Sequence, residues 1–259
     1  SVDFKPLVVI PTYNERENIV PLCKKVIRQG ENIEILVVDD NSPDGTWQVV
    51  QDLQQSCSRI HLLRRRGKLG LGTAHLDGFR WALKRGFDRV ITMDADFSHP
   101  PECIPEMLKR SRDCEVVIGS RYISGGGHEN WPWHRVLLSS ASNLVARTFL
   151  KLQPRDCTGA YRCFQRKALE AIPFENIVSR GYSFQEEMLW QCSGRGWDIA
   201  EVPITFAQRS RGTSKISSQE ILGGIWTIIR LMFTPHGRRK PRSVPPQSPP
   251  ESARTGKRF

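Results

Sequence analysis

The sequence predicts an α/β fold in which helices cover both faces of a mostly parallel sheet, built as a single domain. Three observations carry this prediction. The chain has 259 residues, of which 39% are hydrophobic and 25% charged, so a packed core is feasible. Short apolar runs alternate with helical patterns through the first 120 residues. These apolar runs are continuous rather than alternating with polar residues, which is typical of parallel strands buried on both faces.

Strands and helices are predicted in strict alternation up to residue 121. The strands are LVVIP (7–11), EILVVDD (34–40), IHLLRR (60–65), RVITMDAD (89–96) and EVVIGSR (115–121). The helices cover residues 14–29, 46–56, 73–85 and, starting at a proline, 101–111. In the second half, GGG (125–127) with HENWPW predicts a mobile loop, residues 134–150 a helix, and residues 155–210 a mixture of short strands and helices.

Polar clusters follow four of the predicted strands. They are TYNE after the first strand, DDNSPDG after the second, DADFSH after the fourth and SRY after the fifth. In sheets of this type, ligands bind beyond the carboxyl ends of the strands. The sequence therefore predicts one ligand site, where these four strand ends meet.

Asp94 and Asp96 stand out because two carboxylates so close together repel each other. One interpretation is a polar turn at a strand end, since Asp is a common turn residue. The other is a metal site, since residues two apart on an extended strand point the same way and a divalent cation cancels the repulsion. These few residues alone leave both interpretations open.

The net charge of +11 is concentrated at the end of the chain. Residues 236–259 hold seven Lys or Arg and one Glu, which is +6, so the remainder carries +5. A basic, proline-rich tail predicts disorder. Its partner is an anionic membrane surface or nucleic acid, or the tail only improves solubility.

Seven cysteines are scattered without a C-x-x-C pair, and no signal-peptide pattern is found, which together predict reduced thiols in a cytosolic protein. No transmembrane helix is predicted. The most apolar segment, residues 221–229, is far shorter than the roughly 20 residues that cross a bilayer. It is either an interfacial membrane anchor or a terminal helix packed on the domain, and these two interpretations are compatible.

Several common site types are excluded or disfavoured. There is no P-loop, and GKLGLGTA (67–74) follows the third strand without the acidic residue that a dinucleotide site needs. No G-x-S-x-G elbow occurs, and no two of the six histidines are four residues apart. His99, although it lies near the two aspartates, is predicted to be an ordinary polar residue of the turn.

Seven motifs together resemble one family, the dolichyl- or polyprenyl-phosphate mannosyltransferases, which are inverting GT-A glycosyltransferases of family 2. The motifs are PTYNERENI (11–19), VVDDNSPDGT (37–46), KLGLGTA (68–74), MDADFSHPP (93–101), GSRYISGGG (119–127), NWPWHR (130–135) and RSRGTSK (209–215). The resemblance covers about residues 5–233, with the motifs in order and at plausible spacing. The resemblance implies a GT-A fold and transfer of mannose from GDP-mannose to a polyprenyl phosphate, for glycan or glycoprotein synthesis.

The resemblance also implies residue roles. Asp94 and Asp96 match the metal-binding D-x-D, which implies Mg²⁺ or Mn²⁺, and Ser98 holds a position where relatives offer a further ligand. Asp39 is expected to be structural. The nucleotide-sugar site implied by the family comprises Pro11, Tyr13, Glu15, Val38, Asp40, Asp94, Ala95, Asp96, Arg121, Arg209 and Lys215. Arg121, Arg135 and Ser139 match the site for the acceptor phosphate, and Asp94, Asp96 and Arg121 are the expected catalytic residues.

The implied acceptor bears on mechanism. Sugar transfer to an alcohol generally needs a carboxylate base. A lipid phosphate, by analogy with phosphorylated side chains, is already largely anionic at neutral pH. Its oxygen attacks the anomeric carbon directly, so no residue is expected to act as the base.

The expected organisation is a catalytic domain (1–215), an apolar helix (216–234) and the basic tail (235–259). Such a protein is expected on the cytosolic face of a membrane, held by the helix and tail or by a small anchor subunit. The sequence leaves three alternatives. The first is the same chemistry with another nucleotide sugar such as UDP-glucose. The second, nucleic-acid binding, is disfavoured because acidic strand ends repel phosphate. The third, a relative that has lost activity, is disfavoured by the complete set of matched charges.

Overall fold

A seven-stranded sheet forms the centre of the protein. The structure is a computed structural model and describes residues 4–181, 183–207 and 218–234. The strands are β1 Pro6–Thr12, β2 Glu34–Asp39, β3 Ile60–Arg64, β4 Arg89–Thr92, β5 Val116–Ser120, β6 Gly127–His128, β7 Arg162–Gln165, β8 Ile199–Pro203 and β9 Thr205–Phe206. The helices are α1 Arg16–Ile27, α2 Thr46–Ser56, α3 Leu71–Lys84, α4 Ile104–Arg110, α5 Trp133–Leu150, α6 Arg166–Glu170, α7 Phe184–Gly194 and α8 Ser218–Phe233, with 3-10 turns at Pro101–Cys103 and Phe174–Asn176.

The strand order of the sheet is β3-β2-β1-β4-β7-β5-β8. All neighbouring strands are parallel except β7, which runs antiparallel to both β4 and β5. The strands β1, β2, β4 and β5 therefore end at the same edge, as the sequence predicts. The predicted mostly parallel α/β sheet is confirmed.

The sheet has a hydrophobic core on each face, which confirms the predicted helices on both sides. Along β1, Val8 and Ile10 join a core with apolar residues of α1, α2 and α4, while Leu7 and Val9 join a second core with α3, α5 and α7. The helix α3 comes so close to β1 that a Cβ atom at Gly78 would lie 2.5 Å from Val9 Cγ1. Only glycine permits this approach. The start of α3 lies near the end of β2, since the backbone nitrogen of Gly70 donates a hydrogen bond to Asp40.

The cysteines belong to these cores rather than to a metal or disulfide site. All seven are free thiols, and five of them are buried. Burial raises the pKa of Cys163, and likewise that of Cys192, to about 12, so neither ionises near neutral pH.

Three local predictions differ from the structure. The strand β4 ends at Thr92 rather than at residue 96, because the chain turns after Met93 donates a last backbone hydrogen bond to Val9. The helix predicted over 101–111 divides into a 3-10 turn and α4. The glycine-rich loop contains β6, which pairs with β9 in a separate two-stranded sheet.

The helix α8 lies within the segment 216–234 and packs against α5 and α7. Thr227 and Leu231 are buried in this contact, and Arg230 forms an ion pair of 2.6 Å with the buried Glu187 of α7. The opposite side of α8 is apolar and exposed. None of the described helices is long and apolar enough to cross a membrane. The tail 235–259 lies outside the described residues.

Candidate active site

The two aspartates of the D-x-D lie in a tight turn immediately after β4. Ser98 donates two hydrogen bonds to Asp96 Oδ1, from its backbone nitrogen at 3.1 Å and from its hydroxyl at 2.5 Å. Phe97 between them adopts a left-handed conformation, with φ of 64°. The two aspartates therefore lie in a polar turn, and this turn is compatible with a metal site formed by their carboxylates.

The two carboxylates differ in exposure. Asp96 is only 4% exposed, whereas 26% of the Asp94 side chain is accessible to solvent. Alternation of side chains along a strand does not align the two carboxylates, because β4 ends before both residues. The shape of the turn, rather than the pleat of a strand, sets the relative direction of the two side chains.

His99 is a buried part of this turn, not an ordinary polar turn residue. Its Nδ1 accepts a hydrogen bond of 3.0 Å from the backbone nitrogen of Asp94, so Nε2 carries the proton, and Nε2 lies 3.9 Å from Asp94 Oδ2. Burial lowers the pKa of His99 and outweighs the opposing charges of Asp94 and Asp96. The ring stacks on Tyr161, with centroids 4.9 Å apart. A neutral His99 therefore fixes the backbone from which the Asp94 carboxylate projects.

The donor set of this turn is suited to a hard divalent cation. Asp94 and Asp96 supply only oxygen ligands, and Mg²⁺-type sites commonly combine one or two carboxylates with substrate phosphates and water. Within the described ranges, no group of three or more His, Cys, Asp or Glu side chains is placed to hold a metal. Two carboxylates alone make an incomplete shell, so a cation here needs ligands from a bound substrate. The hydroxyl of Ser98 is bonded to Asp96, and its predicted role as a metal ligand stays a prediction.

The residues matched to the nucleotide site lie around the ends of β1 and β2. Pro11 and Val38 are paired in the sheet register, and Val38 is fully buried in the core. Beyond the strands, Tyr13 is half-buried, and the ammonium of Lys68 lies 4.4 Å from the centroid of its ring. The glycine-rich KLGLG segment thereby comes beside the first strand end, which the sequence alone did not show.

Asp39 and Asp40 are adjacent in sequence, but their carboxylates bind different residues. Asp40 binds the guanidinium of Arg65 at 2.5 Å and accepts hydrogen bonds from the backbone nitrogens of Leu69 and Gly70 at 3.1 and 3.3 Å. Asp39 accepts hydrogen bonds from the Thr12 hydroxyl and from Ser42. Asp39 is therefore structural, as expected, while Asp40 ties the glycine-rich segment to the end of β2.

Glu15 lies at the start of α1, on the same side of the sheet end. Its carboxylate accepts a hydrogen bond of 2.8 Å from Asn18, and its backbone nitrogen donates to the Thr46 hydroxyl at the start of α2. Ala95, between the two aspartates, is 4% exposed and packs into the core. Arg209 and Lys215 lie outside the described residues.

Arg121, at the end of β5, is held by a partner that the sequence analysis missed. Asp156 accepts hydrogen bonds of 2.7 Å from both Nε and Nη2 of Arg121, and the Thr158 hydroxyl accepts a third from Nη2 at 2.8 Å. Asp156 is fully buried, and it also accepts hydrogen bonds from the backbone nitrogens of Arg121 and Gly159. The run D-C-T-G at 156–159, with two polar side chains just before a buried strand, was the available signal.

The charges of this pair stabilise each other. Burial works against both ions, but the hydrogen bonds and charge of the partner outweigh it. The pKa of Arg121 therefore lies above its ordinary value and that of Asp156 below. Both remain ionised at neutral pH, and the pair as a whole is neutral.

Arg135 and Ser139 on α5 lie in the same neighbourhood as Arg121. Tyr122 donates a hydrogen bond of 2.7 Å to the Ser139 hydroxyl. The guanidinium carbon of Arg135 is 4.0 Å from the centroid of the Trp131 ring, and that of Arg121 is 6.0 Å from the same centroid. The structure thus brings together the three residues predicted to bind the acceptor phosphate.

Aromatic rings join this group to the D-x-D turn. Phe206 makes edge-on contacts with both His99 and Trp131, at centroid distances of 5.4 and 5.3 Å. The carboxylate turn and the arginine cluster therefore belong to one site, with anionic and cationic halves. Such a site suits a reaction between a metal-bound and an arginine-bound phosphate compound.

Comparisons with known proteins agree with this geometry. Residues 7–172 match the family described as Glycosyl transferase family 2. The chain is 42% identical over 226 residues to polyprenol monophosphomannose synthase of Mycolicibacterium smegmatis, covering 86% of this chain and 85% of the relative. It is 43% identical over 225 residues to undecaprenyl-phosphate mannosyltransferase of Micrococcus luteus, covering 86% and 92%.

Solved structures show the fold. Glucosyl-3-phosphoglycerate synthase of Mycobacterium tuberculosis, in complex with Mn²⁺, UDP and phosphoglyceric acid, is 18% identical with a TM-score of 0.63, covering 90% of this chain and 80% of that one. A mannosyltransferase of Pyrobaculum calidifontis, in complex with GDP-Man and Mn²⁺, is 18% identical with a TM-score of 0.54, covering 80% and 58%. The architecture described above is thus that of known glycosyltransferases.

Proposed function

The chain belongs to glycosyl transferase family 2, and we propose that it transfers mannose from GDP-mannose to a polyprenyl or dolichyl phosphate with inversion. The product is polyprenyl-phosphate mannose. The observation that carries this proposal is the meeting of Arg121, Arg135 and Ser139 beside the D-x-D turn, in a chain 42–43% identical to two polyprenyl-phosphate mannosyltransferases.

The carboxylates of Asp94 and Asp96 would hold a divalent cation, Mg²⁺ or Mn²⁺, against the pyrophosphate of the donor. When bound, such a cation neutralises the negative charge that develops on the departing nucleoside diphosphate. The protein itself keeps this turn in place through His99 and Ser98. Arg209 and Lys215 are proposed to bind the same phosphates.

The nucleoside is proposed to lie against the ends of β1 and β2. Tyr13 offers an aromatic face, and Glu15 offers a carboxylate for hydroxyl groups of the donor. The pair Asp40–Arg65 fixes the glycine-rich segment beside this surface. These residues orient the donor so that its anomeric carbon is directed towards the arginine cluster.

The acceptor phosphate is proposed to bind between Arg121, Arg135 and Ser139. Arg121 is already paired with Asp156, and Arg135 adds a second guanidinium to the phosphate site. A phosphate oxygen then forms the new bond to the anomeric carbon as the bond to the nucleoside diphosphate breaks on the opposite side, which inverts the configuration. The attacking oxygen carries no proton, so the protein contributes positioning and charge rather than a base.

Contact with a lipid surface is part of the proposal, because α5 carries both phosphate-binding residues and exposed apolar ones. Trp133, Leu137, Leu144 and Phe149 of α5 are exposed, as are Ile225, Trp226, Ile229 and Phe233 of the neighbouring α8. The acceptor phosphate would thus be bound at the edge of an apolar surface that faces its own lipid chain. We place this surface on the cytosolic face of a membrane, supported by the basic tail or by a small anchor subunit.

Vesicle flotation tests the lipid contact. The double change Trp226→Ser and Phe233→Ser is expected to reduce binding to vesicles that contain anionic lipid, since each buried aromatic side chain contributes about 2 kcal/mol. Deleting residues 236–259 tests the tail separately, because basic residues near an anionic surface contribute about 1 kcal/mol each. Unchanged flotation of both variants would remove this part of the proposal.

Donor and acceptor are tested together in one assay. The purified protein is given a short polyprenyl phosphate, Mg²⁺ or Mn²⁺, and labelled GDP-mannose, UDP-glucose or UDP-N-acetylglucosamine in separate reactions. We expect label to enter the lipid from GDP-mannose alone. Transfer from UDP-glucose instead would favour the alternative donor, while no transfer from any donor would contradict the proposed activity.

A further inference from the structure

Two stacked rings, His128 and Trp131, lie among the arginines assigned to the acceptor phosphate. Their centroids are 4.3 Å apart and their planes are inclined by 22°. The guanidinium carbons of Arg135 and Arg121 are 4.0 and 6.0 Å from the Trp131 ring centroid. Two cations and two rings therefore form a single cluster.

Backbone hydrogen bonds hold this ring pair in place. Gly127 donates to the carbonyl of Ile204 at 3.0 Å, and Glu129 donates to that of Phe206 at 2.9 Å, as β6 pairs with β9. The Phe206 ring then contacts Trp131 edge-on at 5.3 Å. The rings are thus positioned by the fold before any ligand binds, which is what a precise binding site needs.

The nitrogen atoms of these rings are shielded from solvent but unpaired. Trp131 Nε1 and both His128 nitrogens make no hydrogen bond with any residue in the described part of the chain. Burial, together with the charge of Arg121, lowers the pKa of His128 to about 4. The imidazole is therefore neutral at neutral pH and carries one N–H. A buried donor left unpaired costs about 1–3 kcal/mol, and native proteins contain few of them.

We propose that Trp131 is a further phosphate-binding residue, whose indole N–H donates to an oxygen of the polyprenyl phosphate held by Arg121 and Arg135. The neutral His128, which stacks on Trp131, supplies a second N–H. This inference rests on the proposed function for the identity of the phosphate. A phosphate dianion offers only acceptors, so neutral donors strengthen its binding without adding charge next to the Arg121–Asp156 pair.

The substitution Trp131→Phe removes the indole N–H but keeps an aromatic ring, so it tests the hydrogen bond apart from the packing. A phenyl ring still packs against Arg135 but has no donor. The matched control is Trp197→Phe, because Trp197 Nε1 is likewise shielded and makes no hydrogen bond with the described residues, and its ring contacts Lys167 rather than the arginine cluster. Binding of a short polyprenyl phosphate is measured by calorimetry without any donor sugar, beside the corresponding polyprenol. We expect Trp131→Phe to weaken binding of the phosphate at least about tenfold, while binding of polyprenol stays unchanged and Trp197→Phe matches the wild type.

Two results would overturn the inference. One is wild-type affinity of Trp131→Phe for the polyprenyl phosphate. The other is an equal loss of affinity for the phosphate and for polyprenol, which indicates damaged packing of the lipid chain. Should Trp131→Phe fail to fold, His128→Phe is measured in the same way, and the same results apply. Because no sugar donor is present, these outcomes are independent of whether mannose is transferred.

Discussion

Arg121 and Asp156 form a forked ion pair, with two hydrogen bonds of 2.7 Å, that is almost wholly shielded from solvent. The pair joins the end of β5 to the loop before β7, two segments that are 35 residues apart in the chain. It thereby fixes the guanidinium at the acceptor side of the site. Asp156 acts on the substrate only through Arg121 and is a positioning residue.

We expect Asp156→Asn to destabilise the protein and to weaken acceptor binding. The amide keeps the size of the side chain but leaves Arg121 buried without its counter-ion, which costs about 3–5 kcal/mol. Urea unfolding measures the stability, and the KM values for polyprenyl phosphate and GDP-mannose are compared. The acceptor KM should rise while the donor KM stays nearly unchanged. The exposed Asp113→Asn is the matched control, and equal changes in both KM values would argue against the positioning role.

Replacing Asp94 or Asp96 by Asn is expected to abolish turnover. Each change removes a negative oxygen ligand for the cation, and a lost metal contribution of several kcal/mol lowers the rate about 1000-fold or more. The measurement is label transfer at saturating Mg²⁺ or Mn²⁺, with thermal unfolding as a check on the fold. Near-normal activity of either variant would contradict the metal assignment.

The sequence predicts the sheet and the edge where the site lies because these depend on local patterns. Continuous apolar runs such as LVVIP and polar residues directly after them require no knowledge of distant contacts. The Arg121–Asp156 pair depends instead on β7, which inserts antiparallel between β4 and β5. The structure likewise differs from the prediction at His99, because this ring packs against Tyr161 and Phe206, both more than 60 positions away in the chain. Pairings across the sheet are not encoded in any short window of residues.

Glu186, in the first turn of α7, is a candidate for the catalytic base that the proposed mechanism does not require. Burial raises the pKa of its carboxyl to about 7, with Asp156 adding to the effect while Arg162 and Arg121 oppose it. Its Oε2 is shielded and makes no hydrogen bond with the described residues. A carboxyl group that ionises near neutral pH has the pKa expected of a general base. The structure therefore supplies a specific rival to direct attack by the phosphate.

We expect Glu186→Gln to retain most of the turnover number. A lost base would lower kcat about 100-fold or more, whereas an anionic phosphate needs no proton removed. The pH dependence of kcat/KM is measured for the wild type, for Glu186→Gln and for the exposed control Glu175→Gln. All three profiles should fall at acid pH, as the acceptor phosphate dianion takes up a proton at its second pKa and becomes a monoanion. A large loss of kcat in Glu186→Gln, with the fold intact, would identify Glu186 as the base.

His75 makes stability sensitive to acid. The ring is fully buried in α3 and stacks on Phe184 with centroids 5.4 Å apart. Burial, and then the charge of Arg162, lowers the pKa of His75 from its ordinary value of 6.5 to about 3. The unfolded chain therefore binds a proton that the folded protein does not. The contribution of the neutral His75 to the free energy of unfolding is therefore complete above pH 6.5 and is lost as the pH falls towards 3.

We expect His75→Phe to flatten this pH dependence, because a phenyl ring can keep the stack on Phe184 and has no proton to bind. Each pH unit below the ordinary pKa costs about 1.4 kcal/mol, so the contribution of His75 lost by pH 5 is about 2 kcal/mol. Urea unfolding at neutral pH and at about pH 5 gives the difference for the wild type, for His75→Phe and for the exposed control His134→Phe. His99 and His128, whose pKa values are also lowered, are present in all three proteins, so their own acid sensitivity cancels in the comparison. If His75→Phe and the wild type lose the same free energy of unfolding between the two pH values, His75 is not the source of the sensitivity.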